Sequence, residues 1–330
     1  MSVTFAEKLA RIPNYSPGTS LDDARARSGV GDAVKLASNE SPFPPHPAVV
    51  EAIAEAAQGL NLYPDPSSTL LRARIADRLE VEPARITIGN GSCELLLAAA
   101  EALCEPGDEL VFAWPSFSIY PYLAPLTGAR EVRVPLDDGE RHDLAAMEAE
   151  VTAATKIVMV CNPNNPTGTY LGVDELGAFM ERIPPHVTVI LDEAYVEYQT
   201  RDDPQASIEL LGRFANLALM RTFSKCYGLA GARVGYALCS PALREAMDAV
   251  RQPFPINSLA QAGAAEAILH QDDVVRRVEG NLVERIHVDE SLREMGFWVA
   301  EGEANFAWLR LGDHAEDEVV AALDLSLIHI

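Results

Sequence analysis

The run Met220-Arg-Thr-Phe-Ser-Lys-Cys-Tyr-Gly-Leu-Ala-Gly-Ala-Arg233 places Lys225 after two hydroxyl residues and before an arginine. Thr222, Ser224 and Arg233 can together hold a phosphate dianion through charge-assisted hydrogen bonds, while the ε-amine of Lys225 attaches covalently to an aldehyde. Pyridoxal phosphate is the cofactor that carries both groups. A lysine capping a solvated strand end would account for the same run, so the reading depends on what other segments supply.

Four further segments carry suitable groups. Asp192-Glu-Ala-Tyr195 follows an apolar run and sets a carboxylate at a sheet edge with a phenol three residues on. A carboxylate there can pair with a protonated ring nitrogen, an interaction of roughly 4 kcal/mol at 4 Å and an effective dielectric of 20. Such a pair keeps the pyridinium charged and the ring an effective electron sink. A helix N-cap at Asp192 with Tyr195 in the core is the plainer alternative. Asn162-Pro-Asn-Asn-Pro-Thr-Gly168 is too rich in Pro and Asn to extend a strand or helix and predicts a tight loop. Its Asn165 is a candidate donor to the cofactor's phenolate oxygen, opposite Tyr195, although Asn-Pro-Thr-Gly is also an ordinary turn. Gly89-Asn-Gly-Ser-Cys93 breaks into an apolar helical pattern, so free N–H groups near Ser92 and Cys93 form a candidate phosphate site. Phe117 could stack on the pyridine face or simply belong to the core.

These residues need a scaffold that brings strand ends together. Apolar runs at 85–88, 109–114, 131–135, 156–161, 187–191, 217–221 and 234–238 predict strands; 93–103, 117–126, 173–182 and 241–250 read as helices. Their alternation predicts an open, mostly parallel α/β sheet, in which ligands bind beyond the carboxyl ends of the strands. The Pro-rich stretches Ser41–Pro47 and Gln252–Pro255 are the expected crossings between lobes. A helical stretch and a short strand at Ala304–Leu309 then predict a smaller α/β lobe.

Composition narrows the partners. The 26 basic against 49 acidic residues leave a net charge of −23, which repels nucleic-acid phosphate and anionic membrane. Five cysteines without a CxxC pair argue for reduced thiols, and the seven histidines form no metal-ligand pattern. No stretch approaches the ~20 apolar residues of a membrane helix, and residues 1–11 lack the apolar core of a signal peptide. A soluble, cytoplasmic protein is expected.

Taken in chain order, Leu36-Ala-Ser-Asn-Glu-Ser-Pro42, Asn61-Leu-Tyr-Pro-Asp-Pro66, Gly89-Asn-Gly-Ser92, Cys161–Gly168, Asp192–Tyr195, Arg221–Lys225, Gly228–Gly231 and Arg233 resemble the fold-type I aminotransferases, and within them the histidinol-phosphate aminotransferase family. The resemblance covers nearly the whole chain. It implies a pyridoxal-phosphate-dependent homodimer, with a large cofactor domain over residues 41–252 and a small α/β domain built from both chain ends, residues 1–40 and 253–330. It implies that Lys225 carries the cofactor and moves the substrate's α-proton, that Asp192 pairs with the ring nitrogen, and that Asn165 and Tyr195 bond the ring oxygen while Phe117 stacks on the ring. The phosphate is then expected at Ser92, Cys93, Thr222, Ser224, Arg233 and a partner subunit's Tyr63, with Tyr15 and Asn39 near the substrate. The implied reaction is amino transfer between histidinol phosphate and 2-oxoglutarate, a step of histidine biosynthesis. An aromatic amino-acid aminotransferase or a threonine-phosphate decarboxylase would share nearly every cofactor residue.

Three departures stand out. Cys93 replaces a frequent acidic residue, and Asn61-Leu62-Tyr63 replaces the more usual Asn-Arg-Tyr. Relatives also continue past the equivalent of Glu318–Leu323 into a strand and helix holding an arginine for the substrate carboxylate, whereas this sequence runs into Asp324-Leu-Ser-Leu-Ile-His-Ile330. A truncated small domain is the expectation there, with a cofactor-binding protein crippled in turnover as the non-enzyme alternative.

Overall fold

A computed structural model describes residues 3–13 and 36–325 of the chain. Seven strands form one sheet: β1 (Ile86–Gly89), β2 (Glu109–Trp114), β3 (Arg130–Pro135), β4 (Thr155–Cys161), β5 (Thr188–Asp192), β6 (Leu217–Thr222) and β7 (Gly235–Leu238). They lie in the order β1-β7-β6-β5-β4-β2-β3. The pairs from β6 to β3 are parallel, and β7 alone runs against its neighbours. The stretch between β6 and β7 holds a single 3-10 turn, Ala230–Ala232, and no crossover helix, so the chain folds back antiparallel.

Helices cover both faces, which explains why the central strands are apolar without a break. Along β4 and β5 the side chains divide by alternation. Val158, Val160, Val189 and Leu191 join one core; Ile157, Met159 and Ile190 join the other. Helices α1 (Pro47–Ala56) and α2 (Thr69–Leu79) contribute Val49, Leu71 and Ile75 to the first. The second is covered by α3 (Ser92–Leu103), α4 (Tyr120–Thr127) and α5 (Pro241–Ala249), through Leu95, Leu123 and Met247. Helix α6 (Ser258–Ala267) packs Ala260 and Ala264 into the first core, and the long α7 (Gln271–Glu294) leads to a two-stranded sheet of β8 (Trp298–Val299) and β9 (Leu309–Arg310).

Two sequence-based boundaries change. The helix predicted from Phe117 begins at Tyr120, because Pro121 lacks an N–H and suits the first helical turn; Phe117 instead closes a turn through its carbonyl, which accepts from Tyr120 N at 3.0 Å. The strand predicted over Ala304–Leu309 shrinks to Leu309–Arg310. Its start is engaged elsewhere: Glu303 N donates to Gly168 O at 2.7 Å and Ala304 O accepts from Asn281 at 3.3 Å.

The carboxyl ends of β1, β4, β5 and β6 meet at one edge of the sheet. Behind that edge Arg221 Nε donates to Glu193 Oε2 at 2.7 Å, with both side chains almost fully buried. The guanidinium also reaches Pro204 O at 2.7 Å and Ser207 Oγ at 3.3 Å. An ion pair so enclosed is worth little against an apolar pair, but breaking one partner strands a charge. Arg221→Met is therefore expected to lower stability by about 3–5 kcal/mol, read as a fall in the urea midpoint at neutral pH. An unchanged midpoint would refute this account of the strand ends.

Candidate active site

Lys225 follows β6 by three residues and is half-buried. Its Nζ donates to Ser38 O at 2.7 Å and lies 5.4 Å from the centre of the Tyr195 ring. Desolvation brings its pKa down to about 8, against the opposing pull of Glu40, Cys93 and Asp192. An amine so poised carries and releases a proton near neutral pH.

Asp192, the last residue of β5, is 1% exposed. Its Oδ2 accepts from Tyr120 Oη at 3.0 Å and its Oδ1 from Ala194 N at 3.3 Å. Burial raises its pKa to about 6, with the Tyr120 bond pulling the other way. Among the described residues its hydrogen bonds come from a phenol and a backbone N–H, which compensate a buried carboxylate incompletely. It is a ready partner for a cationic ring nitrogen.

Tyr195 is buried, and its Oη accepts from two amides, Asn39 Nδ2 at 3.1 Å and Asn165 Nδ2 at 3.3 Å. With both lone pairs engaged, the phenolic hydrogen is left to donate outward. Burial holds the phenol well above its ordinary pKa, so it remains a donor. Asn165 is fixed by its neighbour: Asn164 is fully buried, accepts from Ser116 at 2.8 Å and donates to Thr167 at 2.9 Å and to Pro115 O at 3.2 Å. Asn39 is set from the other side by Asn305, whose Nδ2 donates to Asn39 O at 3.2 Å, and Phe306 meets the Tyr195 ring edge-on at 5.1 Å.

The phosphate-binding candidates converge where α3 begins. A Cβ on Gly235 would come within 2.7 Å of Ser92 N, and one on Gly91 within 2.5 Å of Arg233 Nη2, so glycine at both places lets guanidinium and helix N-terminus approach. Gly91 also takes φ of +76°, a conformation that favours glycine. Thr222 Oγ1 donates to Ser224 Oγ at 2.9 Å and accepts from Ser224 N at 3.1 Å. Guanidinium, hydroxyls and free N–H groups form a cradle for a phosphate, next to an amine and a buried carboxylate. Together they fit pyridoxal phosphate: an anion at one end, an aldehyde at Lys225 and a ring cation at Asp192. Cys93 stands half-buried beside Arg233, Lys225 and Asp192, its thiol pKa raised by desolvation, so it adds no negative charge to the cradle.

Not every predicted residue joins this group. Tyr15 lies outside the described residues. Tyr63 is 83% exposed and stacks on Phe254 at 4.7 Å rather than on the cradle. Phe117, by contrast, packs edge-on at 5.8 Å against Tyr120, the residue that bonds Asp192. Conversely, the sequence reading missed Tyr120, Ser38 and Phe306. Tyr120 lies in the same aromatic stretch as Phe117 and Ser38 in the segment Leu36–Pro42, next to Asn39; nothing local marks Phe306, whose contact crosses from a distant part of the chain.

The family described as aminotransferase class I and II matches residues 31–328. The chain is 44% identical to an aromatic amino acid aminotransferase of Thermobifida fusca over 95% of its own length and 86% of the relative's. It is 42% identical to the protein of that name from Streptomyces coelicolor, over 93% and 84%. A crystal structure of histidinol-phosphate aminotransferase from Sinorhizobium meliloti in complex with pyridoxal-5'-phosphate is similar with a TM-score of 0.91 at 30% identity, covering 100% of this chain and 89% of that one.

The Asp192 geometry makes a testable demand on the ligand-free protein. Its carboxyl pKa is about 6 when folded against 3.8 as a free side chain, so the folded state holds the proton more tightly and loses stability as pH rises through that interval. Asp192→Asn removes the titration. The ligand-free variant is expected to be more stable than the parent by on the order of 1–3 kcal/mol near pH 8, with a smaller gap near pH 5, read by thermal unfolding. A variant less stable at pH 8, or a gap independent of pH, would refute the uncompensated carboxylate.

Proposed function

The chain belongs to the class I and II aminotransferases, pyridoxal-phosphate-dependent transaminases of fold type I, and we propose that within them it takes the amino group from an aromatic amino acid and passes it to a 2-oxo acid. The observation that carries the substrate is the greater sequence identity to proteins named aromatic amino acid aminotransferase, 44% and 42%, than to the histidinol-phosphate enzyme of similar shape, 30%. The resemblance ranked histidinol phosphate first, with an aromatic amino-acid aminotransferase or a threonine-phosphate decarboxylase as alternatives; the relatives favour the aromatic one.

When bound, pyridoxal phosphate supplies an aldehyde that takes up the amino group and a ring that accepts the electron pair of the broken Cα–H bond. The chain's own residues do the rest. Lys225 would be the residue that holds the aldehyde, and as a free amine its Nζ would accept the substrate's α-proton and return it two atoms away, a 1,3 shift. Its pKa of about 8 suits both directions. Asp192 stabilises positive charge on the ring nitrogen, and Tyr120 orients that carboxylate. Tyr195 donates to the ring oxygen, and Asn165 and Asn39 aim its hydroxyl. Ser92, Cys93, Thr222, Ser224 and Arg233 would hold the phosphate and so fix the position of the ring.

A second copy of the chain completes the site in this reading. Tyr63, exposed beside Leu60 and Leu62 and stacked on Phe254, is the residue that reaches the partner's phosphate.

Initial rates with phenylalanine, tyrosine, tryptophan and histidinol phosphate, each against 2-oxoglutarate, test the assignment. An aromatic amino acid is expected to give a kcat/KM at least about tenfold above histidinol phosphate, a transition-state difference of about 1.4 kcal/mol. Lys225→Ala is expected to be silent on all four. A preference for histidinol phosphate would overturn the substrate while leaving the transaminase intact.

A further inference from the structure

One buried cation near the cofactor cradle takes no part in the chemistry above. Arg251, at the end of α5, has a side chain only 5% exposed. Its guanidinium is fully engaged. Nε donates to Glu94 Oε1 at 3.1 Å and Nη2 to Glu94 Oε2 at 2.9 Å, a two-point grip on one carboxylate. Nη2 also donates to Ile88 O at 2.6 Å, and Nη1 to Thr87 Oγ1 at 3.0 Å and Asp248 Oδ1 at 3.3 Å. Glu94 Oε2 in turn accepts from Asn90 N. One side chain therefore ties the last residues of β1 to the first turn of α3, on both sides of Gly91 and Ser92.

The charges matter as much as the bonds. Glu94 lies in the first turn of α3, two residues after Ser92, at a helix end that the cradle needs positive. A free carboxylate there would oppose a bound phosphate. Arg251 neutralises it, while the carboxylate remains to hold Asn90 N.

We propose that Arg251 and Glu94 are positioning residues for the phosphate cradle: the pair fixes the turn from Ile88 to Ser92 so that its N–H groups face Arg233, and it cancels the acidic charge beside the phosphate. The inference rests on the placement of the cofactor phosphate at Ser92 and Arg233. It assigns neither residue a contact with the cofactor. A two-point guanidinium grip on a carboxylate combines geometric and electrostatic control, so lysine replaces only part of it.

The test compares pyridoxal phosphate with pyridoxal, which shares the aldehyde and the ring but lacks the phosphate. Ligand-free protein is titrated with each and the visible absorbance of the lysine-bound form is followed. Arg251→Met is expected to weaken pyridoxal phosphate about tenfold or more and to leave pyridoxal within about twofold. Arg251→Lys should fall between parent and Arg251→Met, and it carries the test if the methionine variant does not fold. Adding Glu94→Gln to Arg251→Met should restore part of the loss, because the uncompensated carboxylate is then gone. Equal weakening of both ligands, or of neither, would overturn the proposal. Arg233→Met separates the two readings. If it leaves the preference for the phosphorylated ligand unchanged, the cradle lies elsewhere and both readings fall; if it removes that preference and Arg251→Met does not, only the positioning role falls.

Discussion

A carboxylate sealed at the end of a central strand is costly, and this site is arranged around one. Asp192 is enclosed because β5 lies in the middle of a sheet covered on both faces, where the strand's last side chain has no route to water. Tyr120 and the Ala194 N–H supply hydrogen bonds but no charge, so the carboxyl pKa stays high, at about 6. The same enclosure lowers the neighbouring Lys225 amine and raises the Tyr195 phenol. One physical cause, desolvation at the sheet edge, thus prepares an acid that seeks a cation, an amine ready to lose its proton and a phenol that keeps its own. On the proposed placement, a ring cation of pyridoxal phosphate beside Asp192 would relieve the first.

The fold was legible where its physics is local. Strands such as Glu109–Trp114 show in the sequence because a parallel sheet buried on both faces demands unbroken apolar runs. The spacing of Lys225 and Arg233 showed as well, since both lie on one short connection between adjacent strands. Legibility failed where a distant contact decides. Ala304 and Asn305 carry strand-like sequence, yet Asn281 takes the Ala304 carbonyl and Asn305 is turned to Asn39, across most of the chain. Ser38 O reached the lysine amine by the same kind of long-range closure. The helix start predicted at Phe117 moved for a nearer reason: proline at 121 delays the helix to Tyr120, whose hydroxyl meets the aspartate.

The substrate was less legible than the cofactor, and the reason is chemical. Every transaminase of this kind must hold the same phosphate, ring and imine-forming amine, so the residues that do so recur together and can be read as motifs. Discrimination between an imidazole bearing a phosphate and a plain aromatic ring needs only a few side chains around the far end of the substrate, and those come from scattered segments. Asn39, Asn305 and Phe306 show how such scattered segments gather, since they meet around Tyr195 from opposite ends of the chain. Overall similarity to named relatives therefore carries the substrate further than any single motif does.

Buried arginines supply the contrast that makes the site work. Arg221 with Glu193, and Arg251 with Glu94, each lie behind a strand end and are closely paired. Neither faces the reacting atoms. Fully paired charges of this kind add little net stability, but they are directional, and a backbone segment bonded to them has few alternative positions. In front of them stand the incompletely satisfied groups, Asp192 and Lys225, whose protonation is free to respond to a ligand. Exchanging the two arrangements would fail on both counts: loosely paired charges behind the loops would let the cradle drift, and fully paired groups in front would have nothing left to offer a ring nitrogen or an α-proton. The division between saturated supports and unsaturated working groups is thus a requirement of a site that must hold one molecule still while protons move around it.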